Sequence, residues 1–288
     1  MSLMHKRIFH HDGVRFFKIT SPSIQLPLNQ LYPGTINQDT LPDTPFEIPV
    51  NSWMVEYRDQ LILIDAGISR LGEEQLPVSH NAAPSFFEQL ALFGKKAEDI
   101  SMVILTHLHL DHVGWSTVFE NGVWKPAFAG ATYYMSRNEV DYLLSDKGIA
   151  EGGGDIFKRN VLPLILDNQV RVVSDPRSEI AGGIMYQEYP GHSPGHMIVR
   201  FRTQHSEICF CGDIFHSTLQ IGNPSLSSSF CRNTVQALTS RKTFLKRAAA
   251  RGSLVCSAHL DSPSAGFISF SGGGYSWQPL QPDGKTQN

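Results

Sequence analysis

Thr106-His107-Leu108-His109-Leu110-Asp111-His112 crowds three imidazoles and a carboxylate into adjacent positions, directly after the apolar run Ser101-Met102-Val103-Ile104-Leu105. Four strong ligand groups so close together are hard to satisfy without a cation, so the pattern HxHxDH reads as metal-site chemistry. The apolar run suits a strand buried on both faces, which hangs the motif from that strand's end. In extended chain, residues two apart point the same way, so His107 and His109 can reach one ion together. Asp111 and His112 fall where the chain turns into a helix and diverge toward a second ion. A carboxylate at a helix start is also favoured electrostatically.

Two ions need more ligands than this motif holds, and single candidates recur at later strand ends. Glu188-Tyr189-Pro190-Gly191-His192-Ser193-Pro194-Gly195-His196 follows an expected strand and is dense in Gly and Pro, the mark of a tight loop, with His192 the better ligand candidate. Ile208-Cys209-Phe210-Cys211-Gly212-Asp213 ends an apolar strand on a carboxylate that can bridge two ions. Leu254-Val255-Cys256-Ser257-Ala258-His259 repeats the design with one histidine.

These segments together resemble the metallo-β-lactamase-fold hydrolase superfamily, through THLHLDHVGW, GHSPGH, the Gly212-Asp213 pair and His259. Leu61-Ile62-Leu63-Ile64-Asp65-Ala66-Gly67 looks like the family's early strand and buried Asp, and GFISFSGGGYSWQP like the C-terminus of its lactonase and organophosphate-hydrolase branch. The resemblance implies an α/β fold, a four-layer αβ/βα sandwich with a dinuclear centre at one edge between two similar halves. It assigns His107, His109 and His192 to one metal, Asp111, His112 and His259 to the other, and Asp213 to both. Asp65 would orient ligands from beneath, and His196 would be structural. The expected ions are two divalent metals, zinc first, with Mn, Fe or Co as alternatives.

Bulk properties agree. With 288 residues, 41% hydrophobic, the chain can bury a large core, and residues 1–288 are expected to form one metallo-β-lactamase-like domain. The formal net charge of -3, with only small basic groups such as Lys6-Arg7 and the helix face from Lys242 to Arg251, argues against nucleic-acid binding. The four cysteines form no CxxC pair, so reduced thiols are expected. No apolar run approaches membrane-span or signal-peptide length, so the reading is a cytoplasmic protein without membrane contact. Residues 1–4 read as a cloning remnant and 281–288 as a frayed tail. The branch resemblance makes a homodimer the expected assembly.

A coarse pass expects strands over 14–19, 50–65, 170–173 and 198–201. It expects helices over Pro84 to Phe93, ended by Gly94, through Val140 to Leu144, and from Thr234 to Ala250. The Pro-rich stretch from Ser21 to Pro49 is long for a passive connection and is expected to wall a pocket. Trp53, Trp115, Phe215 and Phe230 are the expected aromatic lining of a substrate cleft.

Metal coordination lowers the pKa of water from about 15.7 to about 7 at a good zinc site, so a hydroxide between the ions is the expected nucleophile, with Asp111 and Asp213 holding the machinery. His216 stands where the quorum-quenching lactonases of the superfamily carry a Tyr, three residues after the bridging Asp. It is expected to donate to the developing oxyanion or the leaving alkoxide. The leading expectation is hydrolysis of a lactone or related ester of a mostly apolar small molecule. Organophosphate triester hydrolysis is the alternative. Thiolester hydrolysis of the glyoxalase II kind is disfavoured by Trp115 in place of a Gly. True β-lactam hydrolysis is disfavoured by Asp213. From other classes, a mononuclear iron dioxygenase remains open on ligands alone, and a noncatalytic binding protein is disfavoured by seven ligand candidates.

Overall fold

The computed structural model describes residues 7–34, 45–79 and 84–280; the expected N-terminal remnant, the tail from Gln281 and part of the Pro-rich stretch lie outside them. In chain order the strands are β1 (Ile8–His11), β2 (Val14–Leu26), β3 (Phe46–Tyr57), β4 (Gln60–Ile64), β5 (Met102–Ile104), β6 (Thr117–Glu120), β7 (Val123–Pro126), β8 (Thr132–Ser136) and β9 (Val170–Val173). The second half follows with β10 (Arg177–Ala181), β11 (Ile184–Glu188), β12 (Met197–Arg202), β13 (Glu207–Phe210), β14 (Leu254–Cys256), β15 (Ala265–Ser271) and β16 (Gly274–Pro279). Two seven-stranded sheets result, ordered β1-β2-β3-β4-β5-β8-β9 and β10-β11-β12-β13-β14-β15-β16, beside the small β6-β7 hairpin.

The expected single strand over 50–65 is instead a hairpin. Arg58 and Asp59 both take left-handed φ values, 48° and 61°, which suit the tight turn that reverses β3 into β4. The Pro-rich stretch is also more regular than expected at its ends. β2 runs on to Leu26 and pairs Ile24 with Ile48, and the register shift between Ser21 and Ile24 accommodates Pro22, which can give no ladder donor.

Strand alternation separates three apolar layers. Ile62, Ile64, Met102 and Ile104 point from the first sheet toward Val199, Phe201, Ile208 and Phe210 of the second. Their neighbours Leu61, Leu63, Val103 and Leu105 face the opposite way, onto Phe86, Leu90, Val140 and Leu143 of outer helices. On the far side Ile198, Cys209 and Val255 pack under Phe244, Leu245 and Ala248 of the helix Thr234–Arg251. This is helix, sheet, sheet, helix, and it explains why the central strands read as continuous apolar runs. Among the described residues no helix is long and apolar enough to cross a membrane.

Local chemistry sets the helix ends. Ser85 accepts from the Glu88 amide while Glu88 accepts from the Ser85 amide, so the helix Phe86–Leu92 starts on a capping box, and Gly94 at φ 71° follows its end. Asn233 caps Thr234–Arg251 by accepting from Gln236 at 3.0 Å, and Gly252 closes it with a left-handed φ.

Two expected pocket aromatics are core residues instead. Trp53 is buried between the sheets against Phe16 and Phe210, and its indole N–H donates to Ser257 O at 3.2 Å. It alternates inward along β3, and that direction leads to the intersheet layer. Phe215 is buried against Phe244 of the long helix.

The strand ends are joined with little room to spare. A Cβ on Gly114 would lie 2.4 Å from both Gly67 O and Ser69 N, where the loop after β4 crosses the loop after β5. Gly114→Ala is therefore expected to cost about 3 kcal/mol by forcing these backbones apart, measurable as a lowered denaturation midpoint with an unchanged m-value.

Candidate metal centre

Parallel pairing of β4 with β5 and of β13 with β14 turns their C-terminal ends to one edge of the sandwich. From that edge come Asp65 after β4, the 106–112 loop after β5, Asp213 after β13 and His259 after β14. The 189–196 loop enters after β11. Chain segments far apart in sequence therefore meet in one buried cluster.

Potential ligand atoms fall into groups in which all lie within 4.8 Å of one another: His107, His109 and His192; Asp111, His112, Asp213 and His259; and His192, Asp213 and His216. His107 Nε2, His109 Nδ1 and His192 Nε2 form a triangle with sides of 2.9 to 3.1 Å. Asp213 stands between the groups, with Oδ1 3.0 Å from His112 Nε2 and Oδ2 3.0 Å from His259 Nε2 and 3.2 Å from His192 Nε2.

Outer contacts settle which ring nitrogens carry protons. His112 Nδ1 donates to Asp65 Oδ2 at 2.8 Å, and His259 Nδ1 donates to Pro49 O at 2.7 Å. Thr106 gives its hydroxyl proton to Asp65 Oδ2 at 2.8 Å, so its oxygen can accept from His107 Nδ1 at 3.1 Å. His107 then turns a nitrogen lone pair inward, and His112 and His259 can do so once a cation displaces the proton that the neighbouring carboxylates favour there, the arrangement that metal-binding imidazoles need. Bare lone pairs about 3 Å apart repel, and the inward His112 Nε2 and Asp213 Oδ1 have no hydrogen-bond partner. Tetrahedral zinc with bonds of about 2.0 to 2.1 Å spaces its nitrogens by about 3.3 Å. The donor set and its spacing therefore fit divalent cations.

Electrostatics agree. Burial, together with the neighbouring His112, holds His107 well below the ordinary imidazole pKa, and burial brings His109 down to about 4. Burial opposes charge on His112 and His259 as well, but the carboxylates of Asp213 and Asp111 outweigh it and raise both. Burial likewise opposes charge on Asp213, yet His112, His259, His192 and His107 hold it well below the ordinary carboxylate range. The site is arranged to keep its carboxylates ionised around positive charge.

His196 has both ring nitrogens engaged in the protein. Nδ1 lies 3.2 Å from Tyr189 O, to which it donates, and Nε2 accepts the Asp213 amide at 3.0 Å, so this ring braces Asp213. His216 is buried and stacked on His259 with centroids 5.3 Å apart, beside Phe230. Its Nε2 comes within 3.3 Å of Asp213 Oδ2, yet neither ring nitrogen has an aligned hydrogen-bond partner. Trp115 meets Phe87 edge to face and lines a cavity of about 1050 Å³ with Ile68, Phe119 and Trp124. None of the clustered His and Asp residues lines that cavity, which adjoins them through the chain just after His112 and just after Asp65.

Sequence reading missed Glu139. This buried carboxylate accepts the Leu108 amide at 3.1 Å through Oε2 and the Gly195 amide at 2.7 Å through Oε1. It ties the loop of His107 and His109 to the loop of His192. Burial raises its pKa. Its position in an ordinary amphipathic helix start, Arg137–Leu143, carried no motif; burial of a Glu there is the only hint, and that is visible only in the fold. Glu139→Gln replaces one acceptor by an NH₂ facing a backbone N–H. It should weaken metal affinity about 10- to 100-fold, read by chelator competition, with secondary structure kept.

Comparison with known proteins places this geometry in a family. The family model described as Metallo-beta-lactamase superfamily matches residues 46–259. The probable metallo-hydrolase YybB of Bacillus subtilis (strain 168) is 24% identical over 193 residues, which cover 64% of this chain and 70% of that protein. An N-acyl homoserine lactonase of Bacillus sp is 25% identical over 185 residues, covering 60% of this chain and 66% of that one, so these matches span about two thirds of the relatives' length. The solved structure of AidC, a dizinc quorum-quenching lactonase in complex with a product, superposes with a TM-score of 0.80 at 21% identity, covering 96% of this chain and 97% of that one. The chain belongs to the metallo-beta-lactamase superfamily and is a metallo-hydrolase of that fold.

Proposed function

We propose that this protein hydrolyses a lactone or related ester of a mostly apolar small molecule at a two-metal centre. The observation that carries the reading is Asp213, whose two carboxylate oxygens face two adjacent ligand groups. His107, His109 and His192 would hold one divalent ion, Asp111, His112 and His259 a second, with Asp213 shared. Zinc is the proposed metal, on the donor set and on the dizinc neighbour AidC. Bound there, the ions supply Lewis acidity that brings the pKa of water from about 15.7 to about 7 and polarises an electrophilic carbonyl.

The chain's own groups do the rest. Asp213, kept ionised by four imidazoles, would help hold both ions and can accept a hydrogen bond from the attacking water. His216 is lowered by burial, so it is a neutral imidazole near pH 7. Its unpartnered N–H can donate to the oxyanion that develops at the carbonyl. Phe230 closes over its ring. The cavity beside Trp115 is proposed to receive the apolar part of the substrate against its wall of Ile68, Phe86, Phe87, Trp115, Phe119 and Trp124, while Arg70, Glu73, Glu88 and Arg159 make the rest of the lining polar. The lactonase relatives support lactones as the electrophile.

Two measurements test the reading. Metal-reconstituted protein is assayed on lactones, aryl esters, phosphotriesters and thiolesters, with elemental analysis alongside. Lactone or ester hydrolysis with two zinc-like ions per chain is expected. Activity confined to thiolesters or phosphotriesters, or one iron with oxygen uptake, would replace it. His216→Ala should lower kcat about 100-fold with little change in KM, and full activity in that variant would remove the oxyanion role.

A further inference from the structure

We propose a second binding site, for a small phosphate-bearing molecule, at the opposite end of the second sheet. It is a cavity of about 320 Å³ walled by Arg177, Arg200, Arg202, Arg247 and Arg251 around Glu207. The proposal is independent of the reaction assigned to the metal centre. β13 begins at Glu207 in this cavity and ends at Phe210, three residues before Asp213, so the strand's length separates the two sites.

Strand geometry explains the convergence. Val199 and Phe201 point into the intersheet core, so Arg200 and Arg202 share the outer face with their cross-strand partners Met185 and Glu207. The helix Thr234–Arg251 covers that face and brings Arg247 and Arg251 in its last turns to the cavity's rim. Arg177 comes from β10, two strands away from β12.

The local acids are already committed. Glu207 accepts from Arg247 Nη2 at 2.8 and 3.0 Å, from Arg200 Nη1 at 3.4 Å and from Ser253 Oγ at 2.7 Å. Asp12 is occupied by Thr203 and by the amide and ring of His205, and Glu179 accepts the Gly183 amide at 2.7 Å. The arginine–carboxylate pairs here among the described residues are Arg200–Glu207 and Arg247–Glu207, beside the His205–Asp12 contact, which leaves Arg177, Arg202 and Arg251 without a carboxylate. The Nε groups of Arg200 and Arg247 are buried without an acceptor, so even the paired guanidiniums keep unspent donors. The helix C-terminus contributes only about half a negative charge. Five guanidiniums against one carboxylate is an excess that an anion relieves.

The chemistry narrows the ligand. Guanidinium groups present rigid forks of N–H donors that match phosphate oxygens two at a time, which a compact ammonium cannot do. A concave space at the small end of the ligand-pocket range, about 300 to 1,000 Å³, favours a small molecule over a flat surface.

Calorimetric titration of the metal-loaded protein with pyrophosphate tests this, with His107→Ala as the control for binding at the metal centre. Arg177→Gln/Arg202→Gln/Arg251→Gln, whose replaced side chains have no carboxylate partner, should weaken binding at least about tenfold, and Arg202→Lys alone should weaken it in part. Hydrolysis in phosphate-free buffer should stay within about twofold. The proposal falls if the triple variant binds pyrophosphate as tightly as the parent, or if binding disappears in His107→Ala. Binding to phosphatidylglycerol vesicles without binding to pyrophosphate would also overturn it.

Discussion

Asp65 is the anchor on which the centre depends. Held at a left-handed φ of 58°, it is buried at the end of β4 and accepts three donors: the Thr106 amide, the Thr106 hydroxyl and the His112 ring. Its own amide donates to Ile104 O at 3.1 Å, and the next amide, Ala66, donates to His112 O at 2.6 Å. One carboxylate thus fixes where the HxHxDH loop leaves the sheet and which nitrogen of His112 faces inward. A buried carboxylate is tolerable only with its oxygens satisfied, and this one is satisfied by the very loop that it orients.

The same logic recurs on the other loops with different residues. Glu139 pins the backbone of two ligand loops, His196 braces the Asp213 amide, and Pro49 O orients His259. Each support reaches across a long sequence distance, so the rigidity of the centre is a property of the sandwich edge and not of any single loop. Ligand spacing near 3 Å can then persist against lone-pair repulsion, because the rings are held from behind. That strain is what a cation relieves.

Much of this was legible in the chain. HxHxDH after an apolar strand, and single His or Asp residues closing later strands, named residues that the fold brings within a few ångströms. The long helix and the capped helix at Phe86 followed from periodicity, Asn233, Ser85 and Gly94. Aromatics were less legible. Composition near a motif cannot tell an inward from an outward side chain, so Trp53 and Phe215 were expected in a cleft and lie in core layers, while Trp115 does line a cavity. The reversal within 50–65 was hidden because Arg58-Asp59 lacks the Gly that usually marks such a turn.

By itself, the sequence determined the ligand types, their attachment to strand ends and the layered α/β class, because donor chemistry and two-residue or helical periodicity are local properties. Only the tertiary structure decided that Glu139 clamps two loops, that His196 spends both nitrogens on the protein, and that arginines from three separate elements crowd one cavity. Those features depend on which strands become neighbours, and neighbour choice is settled by packing two sheets face to face, an interaction between residues far apart in the chain.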